Sequence, residues 1–182
     1  MNSQQSQTGV TLIEVLITVV VLGVGLLWMA GMQTSAVRQN YLAYQYSQAA
    51  NLARALSERM LANPIGVRSG SYSIATGDSP ASPATNCATD ECSPVELATW
   101  DLADWSTALS DSASGTNVPS SPGATLPGAD FSVACADATC TPTSAHVVTV
   151  YWNPSRDPDV TKTDCNPDDD ESLRCFRVVH QP

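Results

Sequence analysis

The sequence predicts an α+β chain in which a long N-terminal helix, with a membrane-spanning first half, packs on a small antiparallel β-sheet domain with disulfides. Three observations carry this. An 18-residue stretch without charge, Val15–Met32, leads into an apolar stripe of helical period. Beyond Ser69 the composition turns to Ser, Thr, Ala, Pro, Gly and Asp, with short alternating apolar segments. All six cysteines fall in that last part.

The uncharged run is interrupted only by Thr18 and the glycines Gly23, Gly25 and Gly31. At roughly 1.5 Å per residue it covers about 27 Å, close to the hydrocarbon thickness of a bilayer. Leu42, Tyr46, Ala49, Ala53, Leu56 and Met60 then recur at alternating spacings of four and three, and Gln39, Asn40, Gln45, Gln48, Asn51, Arg54 and Glu58 fill the other faces. That pattern is one apolar stripe on a helix. Asn63-Pro64 is a stop, because proline disfavours helical geometry in the residue before it. The expectation is a continuous helix from about Val10 to Ala62, roughly 80 Å long.

In the distal part, Ser93-Pro94-Val95-Glu96 is a helix start: a capping serine, proline at the first helical position and a glutamate placed to reach back. Leu97, Trp100, Leu102, Trp105 and Leu109 supply its apolar face to about Asp111. Ser112–Gly128, with three Pro and three Gly, reads as a loop. Ala129–Ala134, His146–Trp152 and Leu173–Val179 read as strands. The strand domain needs a partner for its inner face, and the stripe at 42–60 is the one available. The predicted division is 1–9, 10–36 as the span, 37–63 as the soluble half of the long helix, and 64–182 as the globular domain.

Charge is distributed unevenly. The chain of 182 residues has a formal net charge of −10, with 43% hydrophobic and 14% charged residues. From Ser69 onward 16 acidic residues face Arg156, Lys162, Arg174 and Arg177, whereas residues 10–68 carry four Arg against Glu14 and Glu58. An acidic domain without clustered Lys/Arg is unsuited to nucleic acid.

The cysteines fall as Cys87/Cys92, Cys135/Cys140 and Cys165/Cys175. Fifteen pairings are possible. Three local loops in sequence order are preferred, in an oxidising compartment. A zinc site aided by His146 or His180 is the competing reading, and its C-x4-C spacing departs from the usual knuckles.

The junction Gly9-Val10-Thr11-Leu12-Ile13-Glu14-Val15 places a carboxylate at the edge of the apolar run. At the bilayer centre such a charge costs about 2.5–3.5 kcal/mol, less near an interface. Cleavage after Gly9 would free an ammonium on Val10, one helical turn away, and that group or its counterpart on a neighbour could neutralise Glu14.

The string GVTLIEVLITVVVLGVGLL resembles the class III signal of type IV prepilins and pseudopilins. Gln48-Ala49-Ala50-Asn51-Leu52-Ala53, Ser57–Pro64, Asp101-Leu102-Ala103-Asp104-Trp105 and Val147–Trp152 are similar to the PilV family of minor pilins, the type IV pilus modification proteins. The resemblance implies a type IV pilin-like fold and cleavage of a 1–9 leader after Gly9 by prepilin peptidase. It further implies N-methylation of Val10 and Glu14 in the role of the pilin glutamate. The partners it implies are other minor pilins and the major pilin, together with the inner membrane and its pilus assembly platform. The expected location is a single inner-membrane pass with the C-terminal domain in the periplasm, or incorporation into the pilus. Val10 stands where phenylalanine is commonest in the family. The leader has no Lys or Arg while Arg38 and Arg54 follow the span, so the positive-inside rule alone would place the C-terminal side in the cytoplasm. Paired cysteines and the cleavage motif outweigh it.

Other functions fit less well. A secretory signal with Thr34-x-Ala36 before a cut at Val37 lacks a basic start and has an over-long core. An enzyme is not expected: there are two His and no H-E-x-x-H, G-x-S-x-G or phosphate-cradling loop. No cofactor is expected. Asp157, Asp159, Asp164 and Asp168–Glu171 lack the spacing and turn glycine of an EF-hand, and read as a solvated acidic loop. Trp100, Trp105 and Trp152 read as packing residues before they read as an adhesive face. His146 reads as a strand residue and His180 as solvated. A type II secretion minor pseudopilin, or a membrane-anchored binding module, is the alternative to a minor pilin.

Overall fold

The computed structural model describes residues 9–113, 126–137, 141–154, 159–161, 163–166 and 172–181. Three helices precede three strands: α1 (Leu12–Ala62), α2 (Pro64–Arg68), α3 (Pro94–Ala113), β1 (Asp130–Cys135), β2 (His146–Trp152) and β3 (Arg174–His180). Contacts divide the chain into two compact units, Met1–Tyr41 and Leu42–Pro182, and α1 contributes to both.

In the first unit every residue from Gly9 to Tyr41 is exposed. Leu12, Ile13 and the Val, Leu and Ile side chains up to Leu27 are all more than half exposed. Thr18 Oγ1 donates to the Val15 carbonyl at 2.8 Å and Thr34 Oγ1 to the Ala30 carbonyl at 3.1 Å. Both hydroxyls are thus satisfied on their own helix, as an apolar solvent requires.

In the second unit the end of α1 packs on an antiparallel sheet of order β1-β2-β3. The register pairs Phe131 with Val150 and Val150 with Phe176; one row along, Val133, Val148 and Val178 align. These side chains meet Ala49, Leu52, Ala53, Leu56 and Met60 of α1, and Ala98, Leu102, Trp105 and Leu109 of α3, in one core. The opposite face of β2 is covered too, since Tyr151 packs with Val160, Leu173 and the sulfurs of Cys165 and Cys175. Burial on both faces suits the unbroken β-branched and aromatic run of β2.

Several expectations shift. The stripe on α1 is rotated at its start: Gln45 is fully buried, Leu52 is in the core, and Tyr46 remains 39% exposed. The reason is Trp152, whose indole N–H needs an acceptor when buried. On α3 the core position is Ala98, with Leu97 and Trp100 only half-buried. The helix therefore presents Ala98, Leu102, Trp105 and Leu109, at spacings of four, three and four. His180, expected in solvent, is buried at the end of β3. Helix α2, just past the Asn63-Pro64 stop, was not expected. Asn63 ends one helix and caps the next, its Oδ1 accepting from Gly66 N at 3.1 Å. The strands differ from expectation by one residue at most at each end, and α1 begins at Leu12 rather than Val10.

Disulfides join Cys87 to Cys92 and Cys165 to Cys175. Cys135 is disulfide-bonded as well, and Cys140 lies outside the described residues. So do most of the Ser112–Gly128 loop, the leader up to Thr8, and Asp157 and Asp168–Glu171.

Candidate assembly site

The N-terminal junction is built by a helix start. Gly9, Val10 and Thr11 lie outside regular structure, and the Thr11 carbonyl accepts from Glu14 N at 3.1 Å and Val15 N at 3.3 Å. Glu14 is thereby the acidic residue of the first turn of α1. A carboxylate is electrostatically favoured there, because the first amides of a helix carry unsatisfied positive dipole. Val10 is 71% exposed. Gly9, Val10 and Glu14 therefore stand at the head of an apolar helical surface, with Gly9 and Val10 exposed in irregular chain.

That surface is long enough to cross a bilayer; α1 is the one helix of this kind among the described residues, and none of its apolar window is buried. A Cβ added at Gly23, Gly25 or Gly31 would meet nothing within 4 Å. No described residue fills these notches.

The other end of α1 is fastened by polar contacts within the Leu42–Pro182 unit. Trp152 Nε1 donates to Gln45 Oε1 at 3.3 Å, and the Trp152 ring meets Tyr46 edge-on at 4.8 Å. Trp105 Nε1 donates to the Leu52 carbonyl at 3.0 Å while its ring packs on Phe131 at 4.6 Å. One turn from the end, Arg59 Nη2 donates to Asp104 Oδ2 at 2.7 Å and Arg59 Nη1 lies 3.6 Å from Asp101 Oδ1. Asn63 Nδ2 donates to the Pro94 carbonyl at 2.7 Å and to the Tyr72 hydroxyl at 3.3 Å.

Two titrations at this end are displaced. Burial, then the bond to Asp101, pushes the Tyr72 hydroxyl well above the usual phenol range. Burial raises the Asp101 carboxyl, opposed by the Tyr72 bond and the Arg59 charge. At the start of α3, Ser93 and Glu96 form the expected capping box: Ser93 N donates to Glu96 Oε2 at 2.9 Å and Glu96 N to Ser93 Oγ at 3.4 Å. Those bonds, led by that from Ser93, hold the exposed Glu96 carboxyl below its ordinary value.

Gln45, Arg59, Tyr72 and Asp101 were not singled out from the sequence. Asp101 had a signal, because it lies between Trp100 and Leu102 on a helix face otherwise apolar. Among the described residues no group of three or more His, Cys, Asp or Glu is placed to hold a metal ion. Of the acidic residues weighed for calcium, Asp164 instead accepts from the Ser172 hydroxyl at 2.5 Å.

Two family models match. Residues 4–30 match the prokaryotic N-terminal methylation motif, and residues 31–103 match the Tt1218-like family, described as type IV pilin Tt1218. The first match spans Gly9, Val10 and Glu14; the second spans Gln45, Leu52, Arg59, Asn63, Tyr72 and Asp101 but not their partners Asp104, Trp105 and Trp152. No curated protein and no solved structure matches the chain.

Proposed function

We propose that the chain is a type IV pilin-like protein, a minor pilin that primes or caps pilus assembly; the matches of residues 4–30 to the N-terminal methylation motif and of residues 31–103 to the Tt1218-like family support this. Its role is structural and non-enzymatic. The observation that carries the reading is the helical surface from Leu12 to Met32, exposed throughout and with Glu14 in its first turn.

In this mechanism prepilin peptidase cuts after Gly9 and Val10 is N-methylated. The residue span 10–36 first lies in the inner membrane as a single pass, with residues 64–182 in the periplasm and 37–63 as the soluble half of α1. Helix exchange at the assembly platform then replaces lipid by the helices of other minor pilins and the major pilin. Glu14 takes a positive partner during that exchange, since an ammonium in low dielectric neutralises a carboxylate that lipid would penalise. The match over residues 31–103 to a type IV pilin favours a pilus over a secretion pseudopilus.

Glu14→Ala tests the role. The expected outcome is a folded, membrane-inserted subunit that no longer co-purifies with its minor pilin partners, and reduced piliation. Normal co-purification and normal piliation would refute the assignment. A deletion scored for both surface pili and secretion separates the pilus from the pseudopilus.

A further inference from the structure

One core-facing row of the sheet is polar where its neighbours are apolar. After Phe131–Val150–Phe176 and Val133–Val148–Val178 comes Cys135–His146–His180. His146 and His180 are direct partners on adjacent strands, only 2% and 7% exposed. His146 Nδ1 and His180 Nε2 are buried without a hydrogen-bond partner.

The groups around the pair do not favour a charge on it. From β1 the row ends on Cys135, which is disulfide-bonded and does not titrate; its sulfur lies 3.8 Å from His146 Nε2. From β2 the group facing His180 is His146 itself. On β3 the charged residues are Arg174, paired with Trp152 at the far end of the strand, and Arg177, which pairs with Thr149 and directs Nη2 to Cys165 Sγ at 3.4 Å. The nearest acidic residue along β1 is Asp137, two positions beyond Cys135. Burial, then the charge of His146, holds His180 below the ordinary histidine range, and no carboxylate contributes.

We infer that the His146–His180 pair is an acid-sensitive latch on the C-terminal strand. While both imidazoles are neutral they close the end of the core. A proton on His180 puts a charge into a buried row beside a second imidazole, where its buried ring nitrogen has no hydrogen-bond partner among the described residues. Strand β3 is bonded to the sheet along one side, whereas the other edge strand, β1, is also bridged at Val133 to Ile74. β3 is therefore the element that opens first. At His180 the unfolded chain takes a proton at the ordinary histidine pKa and the folded chain only lower. The stabilisation is therefore complete above that ordinary value and is lost as pH falls through it.

The test compares detergent-solubilised full chain with His180→Gln and, should that variant fold poorly, His146→Gln. Thermal unfolding is followed between pH 7.5 and 5, with amide-exchange protection measured for residues 174–180. The wild type is expected to lose about 2–4 °C more in Tm than the Gln variants over that range. Protection should fall first in 174–180. The raised Asp101 carboxyl gives a slope of opposite sign, shared by all the proteins, which cancels in the difference. Equal slopes in wild type and variants, or protection lost uniformly across the domain, would overturn the latch.

Discussion

The Tyr72 hydroxyl donates to Asp101 Oδ2 at 2.5 Å, joining the segment after α2 to the middle of α3 beside the end of α1. Neither group has been chosen for solubility, since Tyr72 is fully buried and Asp101 nearly so. Each satisfies the other, and Asn63 and Arg59 complete the cluster.

Removing the hydroxyl leaves Asp101 in place with one fewer donor. Tyr72→Phe is expected to lower stability by about 1–3 kcal/mol, the penalty of an under-bonded buried polar group. Denaturant unfolding of the full chain in detergent measures it.

Asp101 also sets a pH response. Its carboxyl is raised, so the folded chain holds the proton to higher pH than the unfolded chain does. Its contribution is present at acid pH and is lost as pH rises from the ordinary carboxylate value through the raised one. Asp101→Asn should flatten the Tm–pH curve on that limb relative to wild type. An unchanged limb would remove Asp101 as its source.

Gly66 is constrained by space rather than by backbone angle. A Cβ there would sit 2.4 Å from Asn63 Nδ2 and 2.8 Å from the Pro94 carbonyl oxygen. Gly66→Ala must displace the side chain that both caps α2 and reaches α3. The expected loss is about 1–3 kcal/mol by overpacking, read as a drop in Tm.

Gln45 and Trp152 were legible only in part. The period-3.6 stripe located the packing half of α1, and alternation located β2, because apolar burial writes itself into residue spacing. A buried glutamine leaves no such mark. Gln45 reads as a surface residue until the indole N–H of Trp152, 107 positions later, is known to meet it. The same holds for His180, whose burial follows from its pairing with His146 and not from its place near the end of the chain. The head of the exposed apolar helix, by contrast, is contiguous in sequence, so Gly9, Val10 and Glu14 could be read together. Gln45→Ala should cost about 1–2 kcal/mol by stranding the indole N–H, while Gln45→Glu retains an acceptor and should lose less.

The Cys165–Cys175 bond closes a short loop beside Tyr151 and Leu173 on the outer face of the sheet. Replacing both cysteines by serine should lower stability by about 2–3 kcal/mol through loop entropy in the unfolded chain. Thermal unfolding under non-reducing conditions measures the loss.

The central claim is that this chain is processed at Gly9–Val10 and assembles by the helix so exposed. Mass analysis of the N-terminal peptide of the protein recovered from its native membrane tests it most directly. The account predicts a chain beginning with N-methylated Val10. A chain beginning at Val37, or one retaining Met1, would contradict it.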